Sequence, residues 1–306
     1  MLANLFLKTK IISLLLGSAL CFICLVFYHN TTEDLFQDPL QTITDSALKT
    51  MIISAGLSLL FLVEKEYRNI KISALNSLSM LIIVFYLPQG TLSFKGLLLQ
   101  FFLGIALHNV ILISTAKNVF RSCFNLSLIL SCLILFEPIF VWFLIIPATF
   151  FLDQRARNLK FFIAYLIPPL LILIWTLTTV HIFDLEYSFM DSRSSSLIRI
   201  QDLTPQELLF VLLMSIVILL PIKSYIRKSM APNVGILIFI LIWFFLGLYT
   251  SFFRPNDSLN PWELTFFPLL HILGVFLVDL THKRAEVFIL SLLILKGTVL
   301  YLIYNG

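Results

Sequence analysis

HIFDLEYSFMDSRSSSLIRIQDLT, residues 181–204, is the only long run in this chain that a lipid bilayer would reject. Seven apolar blocks precede it and four follow it. They run from Ile11 to Tyr28, Ala47 to Val63, Ile72 to Leu87, Phe94 to Ser114, Phe124 to Phe136, Ile139 to Leu152, Phe161 to Val180, Pro205 to Ile222, Asn233 to Phe253, Pro261 to Leu280 and Ala285 to Tyr304. Most have the roughly 17 to 25 residues that a helix needs to cross about 30 Å of hydrocarbon. Lipid offers backbone amides no partner, so the blocks are expected to be helices.

Composition agrees. Of 306 residues, 59% are hydrophobic and only 12% charged, about half the charged fraction of a soluble domain. Mean hydropathy is +0.98. The apolar runs are continuous and not alternating, which argues against a β-barrel. Cys21, Cys24, Cys123 and Cys132 lie within or at the edge of apolar blocks and are expected to behave as small hydrophobes. Block one has Lys8 and Lys10 before it but no small-x-small cleavage site, so it is read as a retained span.

Basic residues orient the chain. If every block spans, Lys8, Lys10, Lys65, Arg68, Lys71, Lys117, Arg121, Arg155, Arg157, Lys160, Lys223, Arg227, Lys228, Lys283 and Arg284 share one side, 15 of the 21 Lys and Arg. By the positive-inside rule that side is the cytoplasm. The expectation is an all-α polytopic transmembrane helix bundle with about 11 spans, N-terminus cytoplasmic and C-terminus outside. The whole of 1–306 forms one integral membrane domain, and 181–204 is a long extracytoplasmic loop. Blocks five and six are short and meet at Glu137-Pro138. They are read as two spans, the alternative being 9 spans plus a re-entrant hairpin at 122–152.

Two helix starts carry capping signals. Thr204-Pro205-Gln206-Glu207 is a capping box, and Asn260-Pro261-Trp262-Glu263 repeats its logic before block ten. Both carboxylates are read first as structural. Trp142, Trp175, Trp243 and Trp262 are scattered, which suits packing or interfacial anchoring. Ionisable residues inside apolar blocks are few: His108 and His271 are read as neutral and hydrogen-bonded, and Lys296 as reaching toward an interface.

Nucleotide-binding, zinc-hydrolase and nucleophile-elbow signatures are absent; Cys21-Phe22-Ile23-Cys24 has C-x-x-C spacing in letters only, inside an apolar span with no flanking strand, and no cofactor or metal site is indicated. On the outer face, Asp34 and Glu137 are the candidate general bases. His181, Asp184, Arg193, Arg199 and Arg254 are the candidate substrate-binding residues, since Arg forks match phosphate.

The basic N-terminus, Phe94-Lys95-Gly96 with Gly104, Arg155-Ala156-Arg157 ahead of Ile167-Pro168-Pro169, and Phe267-Pro268-Leu269 together resemble an uncharacterised family of multi-pass inner-membrane proteins from Bacteroidota-type bacteria. The resemblance runs along most of the chain and implies location in the bacterial cytoplasmic (inner) membrane, with no catalytic residues to carry over.

Three functional readings follow. The first is a non-enzymatic component of an envelope assembly, with lipid bilayer and membrane proteins as partners. The second is a polyprenyl-phosphate-dependent glycosyltransferase or glycan polymerase, taking a lipid-linked sugar on the extracytoplasmic face. The third is a transporter, weakened by the shortage of intramembrane carboxylates. Nucleic acid is not an expected partner, because the positive charge is spent on topology. The sequence leaves open whether the chain is an enzyme.

Overall fold

The computed structural model describes residues 10–29, 38–66, 75–88, 92–114, 119–145, 159–182, 204–219, 234–253, 262–280 and 282–305. Among these residues the regular structure is entirely helical, with no strand. In chain order the α-helices are α1 (Lys10–Cys24, continued by a π turn, Leu25–His29), α2 (Pro39–Glu66), α3 (Leu75–Tyr86), α4 (Phe94–Ser114) and α5 (Val119–Phe136). Then follow α6 (Leu159–Ile182), α7 (Pro205–Leu219), α8 (Val234–Phe253), α9 (Phe266–Asp279) and α10 (His282–Asn305). Two 3-10 turns, Pro138–Leu144 and Glu263–Thr265, complete the described elements. Among the described residues, α4, α5 and α6 contain stretches long and apolar enough to cross a membrane, at Phe94–Ile113, Val119–Phe136 and Lys160–Ile182.

Three elements depart from the expected blocks for identifiable reasons. Helix α2 starts at Pro39, well before Ala47. Asp38 accepts the Gln41 N–H on Oδ1 at 3.2 Å, and Pro39 takes the first helical position, where its missing N–H costs nothing. The polar first turns are tolerated because Thr42 and Thr44 return their hydroxyls to carbonyls four residues back, and Lys49 pairs with Asp45 at 2.6 Å. Block five is also longer than its apolar run, reaching back to Val119 and carrying Arg121 on an exposed side. Block six, by contrast, begins as the Pro138–Leu144 turn and not as α-helix; residues 146–158 lie outside the described residues.

Helix α6 carries Pro168 and Pro169 in its interior. Proline lacks the N–H that would bond the carbonyl four residues back, so Pro169 strands the Tyr165 carbonyl. Ser127 of α5 supplies the missing donor, its Oγ donating to Tyr165 O at 2.5 Å. Before the prolines Ala164 and Tyr165 are buried against α5, and after them Leu170, Leu171, Ile174, Trp175 and Leu177 are all exposed. An apolar surface of that extent suits hydrocarbon and not water.

Elsewhere α3 packs against α1, α7, α9 and α10, and α4 packs against α2, α5 and α8. Tyr86 donates its hydroxyl to the Leu292 carbonyl, tying α3 to α10. Lys296 does not reach toward an interface: it is fully buried, with Nζ 5.2 Å from the centre of the Phe85 ring and 5.4 Å from that of Tyr86. A cation over ring faces recovers part of the lost hydration. His271 is buried as well.

Candidate functional site at the Glu137 end of the bundle

The described residues bury three carboxylates, Glu137, Glu207 and Glu263. All three belong to one connected end of the bundle, assembled around the start of α4 and the Trp262–Phe267 segment.

Ser93 is the N-cap of α4. Its Oγ accepts the Gly96 N–H at 2.9 Å, satisfying one of the orphan donors of the first turn. The same hydroxyl donates to Glu263 Oε2 at 3.0 Å, and the Ser93 N–H donates to Glu263 Oε1 at 2.5 Å. The Glu263 carboxylate therefore sits on the positive end of α4, packed over the bare Cα of Gly96, where a Cβ would overlap it. The sequence reading placed this carboxylate at the start of its own helix. The fold instead uses it on a neighbour, because Trp262 turns the chain with φ of 67° and a 3-10 turn precedes α9.

Trp262 fixes that turn from three sides. Its N–H donates to Ser251 Oγ at 2.6 Å, and its indole Nε1 donates to Glu207 Oε1 at 3.1 Å. Its ring packs edge-on against Phe210 and Phe252. Glu207 keeps the capping-box role read from sequence: Oε2 accepts the Thr204 N–H at 2.9 Å, and Thr204 Oγ1 accepts the Glu207 N–H at 3.3 Å. Further along, the Phe267 N–H donates to Gln100 Oε1 at 3.2 Å. Gly56 of α2 and Gly247 of α8 also present bare Cα atoms to this segment, at Phe267 and at the Leu264–Thr265 backbone. Residues 262–267 thus lock together α2, α4, α7 and α8.

Glu137 occupies the joint between α5 and the following 3-10 turn. Pro138 holds it extended, at φ −147° and ψ 104°. Its carboxylate accepts from Lys95 Nζ at 2.8 Å; the carboxylate side chain is 3% exposed, the lysine side chain 48%. The pair shows solvent or lipid its cation and hides its anion.

Of the candidate base and substrate-binding residues read from sequence, only Glu137 and His181 are among those described. His181 belongs to the exposed last turn of α6 and not to a loop. Asp34, Asp184, Arg193, Arg199 and Arg254 lie outside the described residues. Lys95 was missed because it is a lone cation, and its partner is 42 residues away. The described residues contain no group of three His, Cys, Asp or Glu side chains able to hold a metal ion. No protein-family model, curated protein or solved structure matches the chain.

Proposed function

We propose that this chain is a multi-pass protein of the bacterial inner membrane, with its N-terminus cytoplasmic and about eleven spans, serving as a non-enzymatic component of an envelope assembly. One observation carries the reading. Each carboxylate buried among the described residues already has structural employment: Glu263 on the start of α4, Glu207 on the start of α7, and Glu137 with Lys95. A general base needs a carboxylate within reach of substrate and not committed to helix-capping donors. In this orientation the Glu137 end faces outside, together with 181–204.

A second reading, an enzyme acting on a polyprenyl-phosphate-linked sugar, draws support from the Lys95–Glu137 pair following closely on Leu135, which lines an apolar groove between α5 and α6. On that reading Asp34 or Glu137 is the base, and His181, Asp184, Arg193, Arg199 and Arg254 hold the substrate. Alanine at Asp34, Glu137 and Arg254, each introduced in cells, separates the two. The component reading expects envelope glycans to be unchanged wherever the variant protein accumulates normally. A variant that accumulates but alters glycans would replace it with the enzyme reading.

A further inference from the structure

Between α5, the Pro138–Leu144 turn and α6 lies a groove of about 550 Å³, lined by residues that include Ser131, Leu135, Val141, Pro169, Thr176 and Val180. We propose that it holds one acyl chain of an anionic phospholipid, taken from the leaflet at the Glu137 end, with Lys95 meeting the lipid phosphate. The proposal rests on the chain being embedded in a membrane.

The groove is a built feature. Pro168 and Pro169 break the ladder of α6, and Ser127 anchors the break by taking the Tyr165 carbonyl. Beyond the break the helix is no longer buried against α5, and the groove opens between them. Its two wall hydroxyls are turned inward: Ser131 donates to Ser127 O at 2.7 Å and Thr176 to Ile172 O at 2.8 Å. The wall therefore offers a ligand almost entirely methyl and methylene surface, which suits an alkyl chain and not a polar substrate.

Length points to the occupant. From Pro169 to Val180 the helix rises eleven residues, about 16 Å at 1.5 Å each. That is close to half of a hydrocarbon core about 30 Å thick, the depth of one leaflet. An extended alkyl chain reaching from headgroup to midplane has that length.

The ends are unlike. Pro169 and Ser131 lie mid-helix, while Leu135 and Val180 lie within two residues of Glu137 and His181. At that end Lys95 is the exposed half of its ion pair. An apolar slot one leaflet deep whose Leu135 end lies two residues from Glu137, the partner of the exposed Lys95, matches an anionic lipid, because a phosphate can meet that ammonium at the depth where headgroups begin.

The test uses the full chain reconstituted into vesicles of equal phosphatidylglycerol and phosphatidylcholine, then released for native mass spectrometry. The expected result is retained phosphatidylglycerol in preference to phosphatidylcholine. Thr176→Trp, which fills the groove, is expected to lower retention by about tenfold, while Leu171→Trp on the exposed side of the same helix leaves it unchanged. Leu173→Trp, at a lining position already exposed, provides the same test should the threonine variant fail to accumulate. Replacing Lys95 and Glu137 together by Gln removes the preference for phosphatidylglycerol but keeps a bound lipid, and Lys95→Arg keeps both. Undiminished retention in the groove-filling variants, or a preference that survives the double substitution, overturns the proposal. Failure of the wild-type chain to float with vesicles would overturn the membrane reading itself, and the lipid site with it.

Discussion

The Glu263 carboxylate occupies the space that a Cβ on Gly96 would need. Because the same carboxylate takes both the N–H and the hydroxyl of Ser93, it cannot move aside without giving up two partly buried hydrogen bonds. Gly96→Ala is therefore expected to destabilise the protein by about 1–3 kcal/mol, the usual cost of overpacking. Gly247→Ala should cost at least as much, since its Cβ would meet the backbone nitrogen of Thr265 at 2.9 Å. Gly297→Ala, with nothing within 4 Å, should be neutral or gain up to about 1 kcal/mol from helix propensity. Unfolding in detergent by denaturant reads all three. Equal effects at Gly96 and Gly297 would refute the placement of Glu263.

Glu263→Ala removes the obstacle as well as the acceptor of both Ser93 donors. Alone it should cost about 1–3 kcal/mol by leaving the Ser93 donors unsatisfied. Combined with Gly96→Ala it should cost less than the sum, with a coupling of about 1–3 kcal/mol. Additivity in that double-mutant cycle would show that the two residues do not touch.

Ser127 and Pro169 make a second coupled pair through the Tyr165 carbonyl. Ser127→Ala should cost about 1–3 kcal/mol, because a buried acceptor is left without its donor. Pro169→Ala restores an N–H for that carbonyl. In its background Ser127→Ala should cost less than about 1 kcal/mol. An undiminished penalty, measured by the same unfolding assay, would mean that the serine acts elsewhere.

Trp262 sets backbone strain against packing. A non-glycine residue at positive φ costs about 1–3 kcal/mol, which Trp262→Gly would relieve. The same change removes a fully buried indole that bonds Glu207 and packs on Phe210 and Phe252, a loss of about 3–5 kcal/mol. Packing wins, so the glycine variant should be less stable. A more stable variant would show that this turn is not held by the indole.

The all-helical architecture was legible because lipid-compatible runs of this length admit little else, and α4 begins and ends where its apolar block does. The Thr204–Glu207 capping box was legible because both partners lie within one turn. What escaped depended on distant partners. Nothing local to Lys95 announces Glu137, and nothing at Glu263 announces Ser93, 170 residues earlier. The early start of α2 escaped for the opposite reason: its first turns are polar, so hydropathy ended the block while Asp38 and Pro39 carried the true boundary. Lys296 misled because a lone lysine in an apolar run usually reaches for water, and here aromatic rings of α3 meet it first.

The central claim is that the buried carboxylates at the Glu137 end hold helices together and that the chain works as part of a larger assembly. Extraction of the tagged full chain from its membrane in a mild detergent, followed by size-resolved native mass spectrometry, tests this most directly. The account predicts that the chain travels with a membrane protein partner in fixed stoichiometry. A chain recovered as a folded monomer with no protein partner would contradict it.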